Sequence, residues 1–141
     1  MNVRKSRLGA CAIITKEKLG SIRERDYSTI LSVSRKHDHT DFGLPGGKVD
    51  EDETVYEALV REIREETGIA IYDAVPIYFR EGHEHLTVVY IVTDYAGDPE
   101  QMESGKVEWN SWEVLKGGSF GDYNKNLEAH IKMLINNDTN V

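Results

Sequence analysis

Between Gly47 and Ile69 the chain carries a spaced set of residues that narrows its fold more than anything else in the sequence. Gly47 is followed after five residues by Glu53, after seven more by Arg61-Glu62, then by Glu65-Glu66 and Gly68, with apolar Ile63 and Ile69 interleaved. At roughly 7% usage per residue type, seven such positions coincide about once in 10^8 placements. Glu53 to Thr67 reads as a helix, with Asp50 and Asp52 as candidate N-caps and Gly68 as the residue that ends it. Val55, Leu59 and Ile63 recur at four-residue spacing and form its buried stripe. Glu62, Glu65 and Glu66 stand at i, i+3 and i+4, so three carboxylates share one face. Like charges so placed repel, and a hard divalent cation would remove that repulsion and gain oxygen ligands. A solvated acidic face is the competing account of the trio taken alone, since Glu is a good helix former.

Leu44-Pro45-Gly46-Gly47 precedes the helix. Two glycines after a proline allow a tight turn and close backbone approach to a ligand. Turn and spaced set together resemble the Nudix family, whose pattern is G-x5-E-x7-R-E-U-x-E-E-x-G-U with U apolar; every position is met. The resemblance implies an α/β fold, an α/β/α sandwich around a mixed β-sheet. It also implies hydrolysis of a nucleoside diphosphate linked to another group, with Mg²⁺ as cofactor and Mn²⁺ able to substitute. On the same ground Glu62 and Glu66 are metal ligands, the carbonyl of Gly46 joins them, and Glu65 either holds a further ion or helps activate water. Arg61 is implied to pair with Glu53 and orient the carboxylates; an ordinary i, i+4 pair with Glu57 or Glu65 is the rival. The general base stays open among Glu62, Glu65 and an acid outside the motif.

Composition sets limits on this reading. At 141 residues the chain is one domain over 1–141, long enough to bury a core. A net charge of −8 argues against duplex nucleic acid as a partner. An acidic protein acting on an anionic phosphate needs a counter-charge, which bound metal supplies. The single cysteine, Cys11, lies in an apolar run and reads as a core residue of a reduced, cytoplasmic protein. No apolar stretch is long enough to span a membrane.

Leu8 to Thr15 reads as a first strand and Ser28 to Ser34 as a second, with a charged loop from Lys16 to Asp26 between them. Arg35 to Asp41 reads as a polar loop. Ile69 to Arg80 and His85 to Tyr95 are two strands joined around Gly82, and Gly97 to Gly105 is an acidic loop before a short strand at Val107 to Trp112. Asp122 to Asn136 is the closing helix, with Leu127, Ile131, Leu134 and Ile135 as its apolar face; Asn137 to Val141 are a frayed end.

Glu103, six residues before Trp109, resembles the acid that completes metal binding in the MutT subgroup; Glu100 and Glu108 are its rivals. In the same subgroup an Asn matching Asn124 reads a purine edge, and an amide with both donor and acceptor suits that task. The competing role for Asn124, or Asp122, is to cap the closing helix. Phe120 and Tyr123 either stack on a base or pack against the sheet. His37 with His39, and His83 with His85, are two-apart pairs able to share a strand face, but no cysteine or third histidine accompanies them, which favours solvated histidines over zinc. The Arg23–Arg25 and Arg35–Lys36 clusters read as exposed loop charge.

The leading expectation is a Mg²⁺-dependent pyrophosphohydrolase that converts a nucleoside triphosphate, an oxidised purine one as the narrower option, to monophosphate and pyrophosphate. The same chemistry on ADP-ribose, a nucleotide sugar, a dinucleoside polyphosphate or a capped RNA end is the alternative. A silent nucleotide-sensing module is a third, opposed by the presence of all four motif glutamates. The resemblance leaves a homodimer open.

Overall fold

The computed structural model describes residues 7–18, 21–82 and 85–136. The elements run β1 (Leu8–Ile13), β2 (Ile30–Arg35), β3 (Asp38–Gly43), β4 (Gly46–Lys48), α1 (Val55–Thr67), β5 (Ala70–Gly82), β6 (His85–Ala96), β7 (Val107–Asn110), α2 (Trp112–Lys116) and α3 (Gly121–Asn136). One sheet has the order β4-β1-β6-β5 and the other β3-β2-β7. The parallel pairing of β1 with β6 makes the first sheet mixed. The two sheets are tied where Leu31 N–H donates to the carbonyl of Ile14 (3.0 Å) and Thr15 bridges Ile30.

Period-two alternation in the central strands builds both cores. Ala10 and Ala12 of β1, with Val88, Tyr90 and Val92 of β6, face α1 and pack with its Leu59 and Ile63. Cys11, Ile13, Val89 and Ile91 face the opposite way, against Trp112 and Leu115 of α2 and Leu127 and Ile131 of α3. The sheet is therefore covered on both sides, the expected α/β/α sandwich. No described helix is long and apolar enough to cross a membrane.

Three local expectations are corrected. Neither Asp50 nor Asp52 caps α1; Thr54 does, and Glu57 returns the bond, in a capping box that the Thr-x-x-Glu spacing permits. The polar stretch Arg35 to Asp41 is not all loop: Asp38 onwards is β3, an edge strand paired with β2. An edge strand exposed on both faces needs no apolar alternation, and only Phe42 of β3 is buried. The strand read as Val107 to Trp112 ends at Asn110, because Trp112 and Leu115, three apart, are buried together on the short helix α2. The expected frayed end at Asn137 to Val141 lies outside the described residues.

Leu59 is fully buried between α1 and the sheet. Leu59→Ala is expected to cost about 2–5 kcal/mol of unfolding free energy. Urea denaturation measures it, and a loss below about 1 kcal/mol would mean that α1 is not anchored by this stripe.

Candidate active site

Both ends of α1 are fixed, which sets its carboxylates in place. Glu57 N–H donates to the Thr54 hydroxyl (3.1 Å), Thr54 N–H donates to the Glu57 carboxylate (2.8 Å), and Gly68, at φ 77°, closes the last turn on the carbonyl of Arg64 (3.0 Å). At the centre of the exposed face stands Arg61. Its Nε–H and one Nη2–H donate to the two oxygens of Glu53 (3.0 and 2.6 Å), and the other Nη2–H donates to the carbonyl of Lys48 (3.0 Å). Nη1 donates to Glu62 (2.9 Å) and Glu65 (3.0 Å). All five donors of the guanidinium are thus engaged. The i, i+4 partner is Glu65, alongside Glu53 rather than instead of it.

The glycine turn brings β4 onto this helix. Gly46 N–H donates to Glu66 Oε1 (2.7 Å). A Cβ on Gly47 would overlap the Glu62 carboxylate, and one on Gly46 (φ 154°) would overlap the carbonyl of Ala10 and approach Cys11 Cα to 2.6 Å. Gly46 must be glycine to lie against the β1 backbone, and a side chain at Gly47 would push the Glu62 carboxylate aside.

The loop carrying Glu103 is tied down on two sides. Glu100 N–H donates to the carbonyl of Thr67 (2.9 Å) and Met102 N–H to that of Glu66 (3.4 Å), so the loop supplies partners for the last carbonyls of α1. Beyond Glu103, Lys106 N–H donates to the Ser34 hydroxyl (2.8 Å), Ser34 N–H donates to the carbonyl of Lys106 (2.8 Å), and His39 Nε2 contacts the carbonyl of Ser104 (3.1 Å). Gly105 fits because a Cβ there would meet the carbonyl of Ser34 at 2.6 Å. Glu103 consequently lines a cavity of about 90 Å³ together with Glu66, Ser34 and Lys36. Its rivals sit elsewhere: Glu100 lies against Gly68, and Glu108 pairs with Lys106 (2.8 Å).

Electrostatics divides the carboxylates. The hydrogen bonds from Arg61, with the Asp50 amide, hold Glu53 down at about 2. Burial raises Glu62 despite Arg61, with Glu65 and Glu103 adding to the rise. Burial pushes Glu66 up to about 7, opposed by the Gly46 amide and reinforced by Glu62, Glu103 and Glu65. Arg61 is held even more firmly protonated than usual by Glu53, Glu65 and Glu62. A cluster of oxygens whose mutual repulsion is only partly neutralised is the donor chemistry a hard divalent cation prefers. Among the described residues, no group of three such side chains is arranged to enclose an ion, and Arg61 holds one oxygen each of Glu62 and Glu65.

Across the sheet lies a second recess of about 570 Å³, lined by Cys11, Leu44, Arg80, Phe120, Tyr123 and Asn124, among others. Asn124 is 1% exposed and does not cap α3; its Nδ2 donates to the carbonyl of Leu115 at the end of α2 (3.1 Å). Its Oδ1 is buried with no hydrogen-bond partner. Cys11 is a floor residue near the Tyr123 hydroxyl (4.0 Å), and burial pushes its thiol up to about 12, so it is inert. His85 borders this recess, whereas His37 lies with Arg35 and Lys36 along another groove; His83 lies outside the described residues. Arg25, read as exposed charge, is buried instead and donates to the carbonyl of Thr93 (2.6 Å). Ser34 and Arg80 are not marked by any sequence pattern, and His39, read as a solvated histidine, meets the loop carbonyl of Ser104; Gly105, four residues before Trp109, is a local sign of the Ser34 contact.

The sequence profile of the NUDIX domain matches residues 5–128. The chain is 36% identical over 89 residues to an 8-oxo-dGTP diphosphatase of Haemophilus influenzae, a match covering 60% of this chain and 65% of that protein. It is 37% identical over 83 residues to an ADP-ribose pyrophosphatase of Methanocaldococcus jannaschii, covering 54% of this chain and 48% of that protein. The chain thus spans just under two thirds of the first relative and about half of the second. The crystal structure of a MutT NUDIX hydrolase from Burkholderia pseudomallei superposes with a TM-score of 0.61 at 30% identity, covering 76% of this chain and 84% of that one.

The raised Glu66 gives a stability test in chelator. Folded Glu66 keeps its proton up to about pH 7, whereas in the unfolded chain it ionises near its ordinary value of 4.5. This contribution is therefore fully present below about pH 4.5 and lost as pH rises through about 7. Glu53, shifted the other way, acts only at lower pH. Thermal midpoints of wild type and Glu66→Gln, followed between about pH 5 and 8, should diverge, the wild type falling more steeply. Parallel profiles would contradict the shift.

Proposed function

The chain belongs to the Nudix family of hydrolases, and on that premise we propose that it is a Mg²⁺-dependent pyrophosphohydrolase converting a nucleoside triphosphate to its monophosphate and pyrophosphate. The observation that carries this reading is the adjacency of two sites through one turn. Leu44 lines the larger recess, and Gly46, two residues on, anchors Glu66. A nucleoside seated in the recess has its phosphates led along that turn to the carboxylates. The 8-oxo-dGTP diphosphatase relative supports an oxidised purine triphosphate as the narrower substrate.

Glu62, Glu66 and Glu103, with Glu65 and the Gly46 carbonyl, would hold the metal, whose charge stabilises the phosphoryl oxygens and lowers the pKa of an attacking water. Glu53 and Arg61 form the brace. The guanidinium restrains Glu62 and Glu65 while Glu53 fixes the guanidinium, so the ligand oxygens are preset along α1. Attack of water on phosphorus breaks one anhydride P–O bond; the water proton passes to a carboxylate of the cluster, Glu62, Glu65 or Glu103. Asn124 presents Oδ1 to a base N–H, its amide nitrogen being committed to Leu115. We place this reaction on small nucleotides in the cytoplasm. The Methanocaldococcus relative favours the second reading, the same cleavage in ADP-ribose.

Glu62→Gln and Glu66→Gln are each expected to lower kcat by at least about 10²-fold at saturating Mg²⁺, the scale for losing a charge-stabilising group. Product analysis by phosphorus NMR over a panel of triphosphates and ADP-ribose reads both rate and cleavage site. Near wild-type turnover in both variants would remove these carboxylates from the mechanism, and turnover of ADP-ribose alone would select the second reading.

A further inference from the structure

We propose that Lys36 receives the terminal phosphate of the substrate, so that the enzyme selects a leaving group that is itself a phosphate chain; this rests on the pyrophosphohydrolase reading and deepens it. The 90 Å³ cavity lined by Glu66 and Glu103 shares Ser34 and Lys36 with a groove of about 440 Å³, to which Arg35, His37, Asp38 and Asp41 contribute. The cavity has no lining residue in common with the nucleoside recess. It meets that recess across the Val33–Gly43 pair of β2 and β3, Val33 lining the one and Gly43 the other. Recess, acidic cavity and groove therefore follow one another in that order. A phosphate chain led from the recess past the carboxylates continues into the groove.

What the groove offers a phosphate depends on which of its charges are already engaged. Arg35 stands 3.8 Å from Asp41, whose other carboxylate oxygen accepts from the Ser119 N–H (2.9 Å). Asp38 is turned into its own strand end, where it accepts from the amide (3.0 Å) and the hydroxyl (2.5 Å) of Thr40. Among the described residues Lys36 forms neither a hydrogen bond nor an ion pair, although Glu66 and Glu103 line the same cavity. Its backbone is nonetheless placed. The β2–β3 pairing shifts register between Ser34 and Arg35, and such an irregularity re-aims the side chains beside it. Ser34 donates its hydroxyl to the carbonyl of Arg35 (3.2 Å) and accepts from the Lys106 N–H (2.8 Å), which ties the approach to Lys36 to the loop bearing Glu103. A terminal phosphate is the most highly charged group of a nucleoside triphosphate, and lysine meets it as a point charge with three rotatable donors. The ribose that ADP-ribose would bring to the same place offers hydroxyls and gains less from a cation.

The test follows triphosphate turnover and its inhibition by each product in wild type, Lys36→Met, Lys36→Arg and Lys132→Met, at saturating Mg²⁺. Met keeps the apolar stem without the charge, Arg keeps the charge, and Lys132→Met removes the same charge from the exposed side of α3. Lys36→Met should raise both KM for the triphosphate and the inhibition constant of pyrophosphate by about 10-fold, the scale of one charge-assisted hydrogen bond. Inhibition by the nucleoside monophosphate, which does not reach the groove, should be little changed. Raising the ionic strength to about 0.5 M should narrow the gap between wild type and Lys36→Met, because an exposed contact is screened. Lys36→Arg should keep most of the wild-type affinity for pyrophosphate. Unweakened pyrophosphate inhibition in Lys36→Met, an equal weakening of monophosphate, or the same change in Lys132→Met would overturn the proposal. If no triphosphate is hydrolysed, the pyrophosphohydrolase reading fails by itself. Calorimetric binding of pyrophosphate with Mg²⁺ to wild type and Lys36→Met then decides the role of Lys36, with the same loss of about 10-fold expected.

Discussion

The fivefold hydrogen bonding of Arg61 is the constraint around which the rest of the site is arranged. A guanidinium is planar, permanently charged and donates in fixed directions, so saturating all five donors leaves little freedom to the groups that accept. Glu53, Glu62, Glu65 and the Lys48 carbonyl converge on it from the segment before α1, from α1 itself and from strand β4. The helix, the strand and the segment between them are thereby registered to one another by a single side chain. The cost of gathering like charges is met in part by the guanidinium itself, and the depressed pKa of Glu53 records how strongly that carboxylate is bound to it. Glu62 and Glu66 carry what is left over, as carboxyls that burial and neighbours discourage from ionising.

That residual frustration is structural as well as electrostatic. Glu66 is held by the Gly46 amide, and its backbone carbonyl is met by Met102 from the Glu103 loop. The same loop is fastened at its far side to Ser34 of β2. The acidic site is therefore framed by elements from both sheets, though only α1 contributes a contiguous motif. Local unfolding of the 97–106 loop would withdraw Glu103 and release the Glu66 and Thr67 carbonyls at the end of α1, while the Thr54 and Gly68 caps, made within the helix, would stay.

Much of this was readable beforehand, for a physical reason. The glycine turn and the helix are encoded at short range, where spacing fixes which side chains can meet; the Arg61–Glu53 pair, eight residues apart with Glu53 ahead of the helix, is implied only by the family resemblance. Alternation in β1 and β6 likewise declares a sheet buried on both faces. What escaped the sequence depends on distant partners. Thr54 and Asp52 are both acceptable caps by type, and only the path of the preceding segment chooses between them. β3 is polar because it is an edge, so it lacks the apolar pattern by which strands are recognised. Arg25 looks like surface charge until the carbonyl of Thr93, far along the chain, is seen to receive it. Asn124 fits both a cap and a reader by type, and only its bond to the distant Leu115 carbonyl shows that it does not cap α3.

The alternation of β1 has a consequence for how such an enzyme can change over time. Its even residues support the helix that bears the acidic cluster, and its odd residues support α2 and α3, the second of which lines the recess. In the proposed reading, bond cleavage and base choice thus lie on opposite faces of one shared partition, bridged by the Leu44-Pro45-Gly46 turn. On that reading, substitutions on α3 and the end of β5 alter the recess without touching the hydrogen bonds that hold the acidic face together. The architecture makes substrate range an inheritable variable that is separable from the reaction itself.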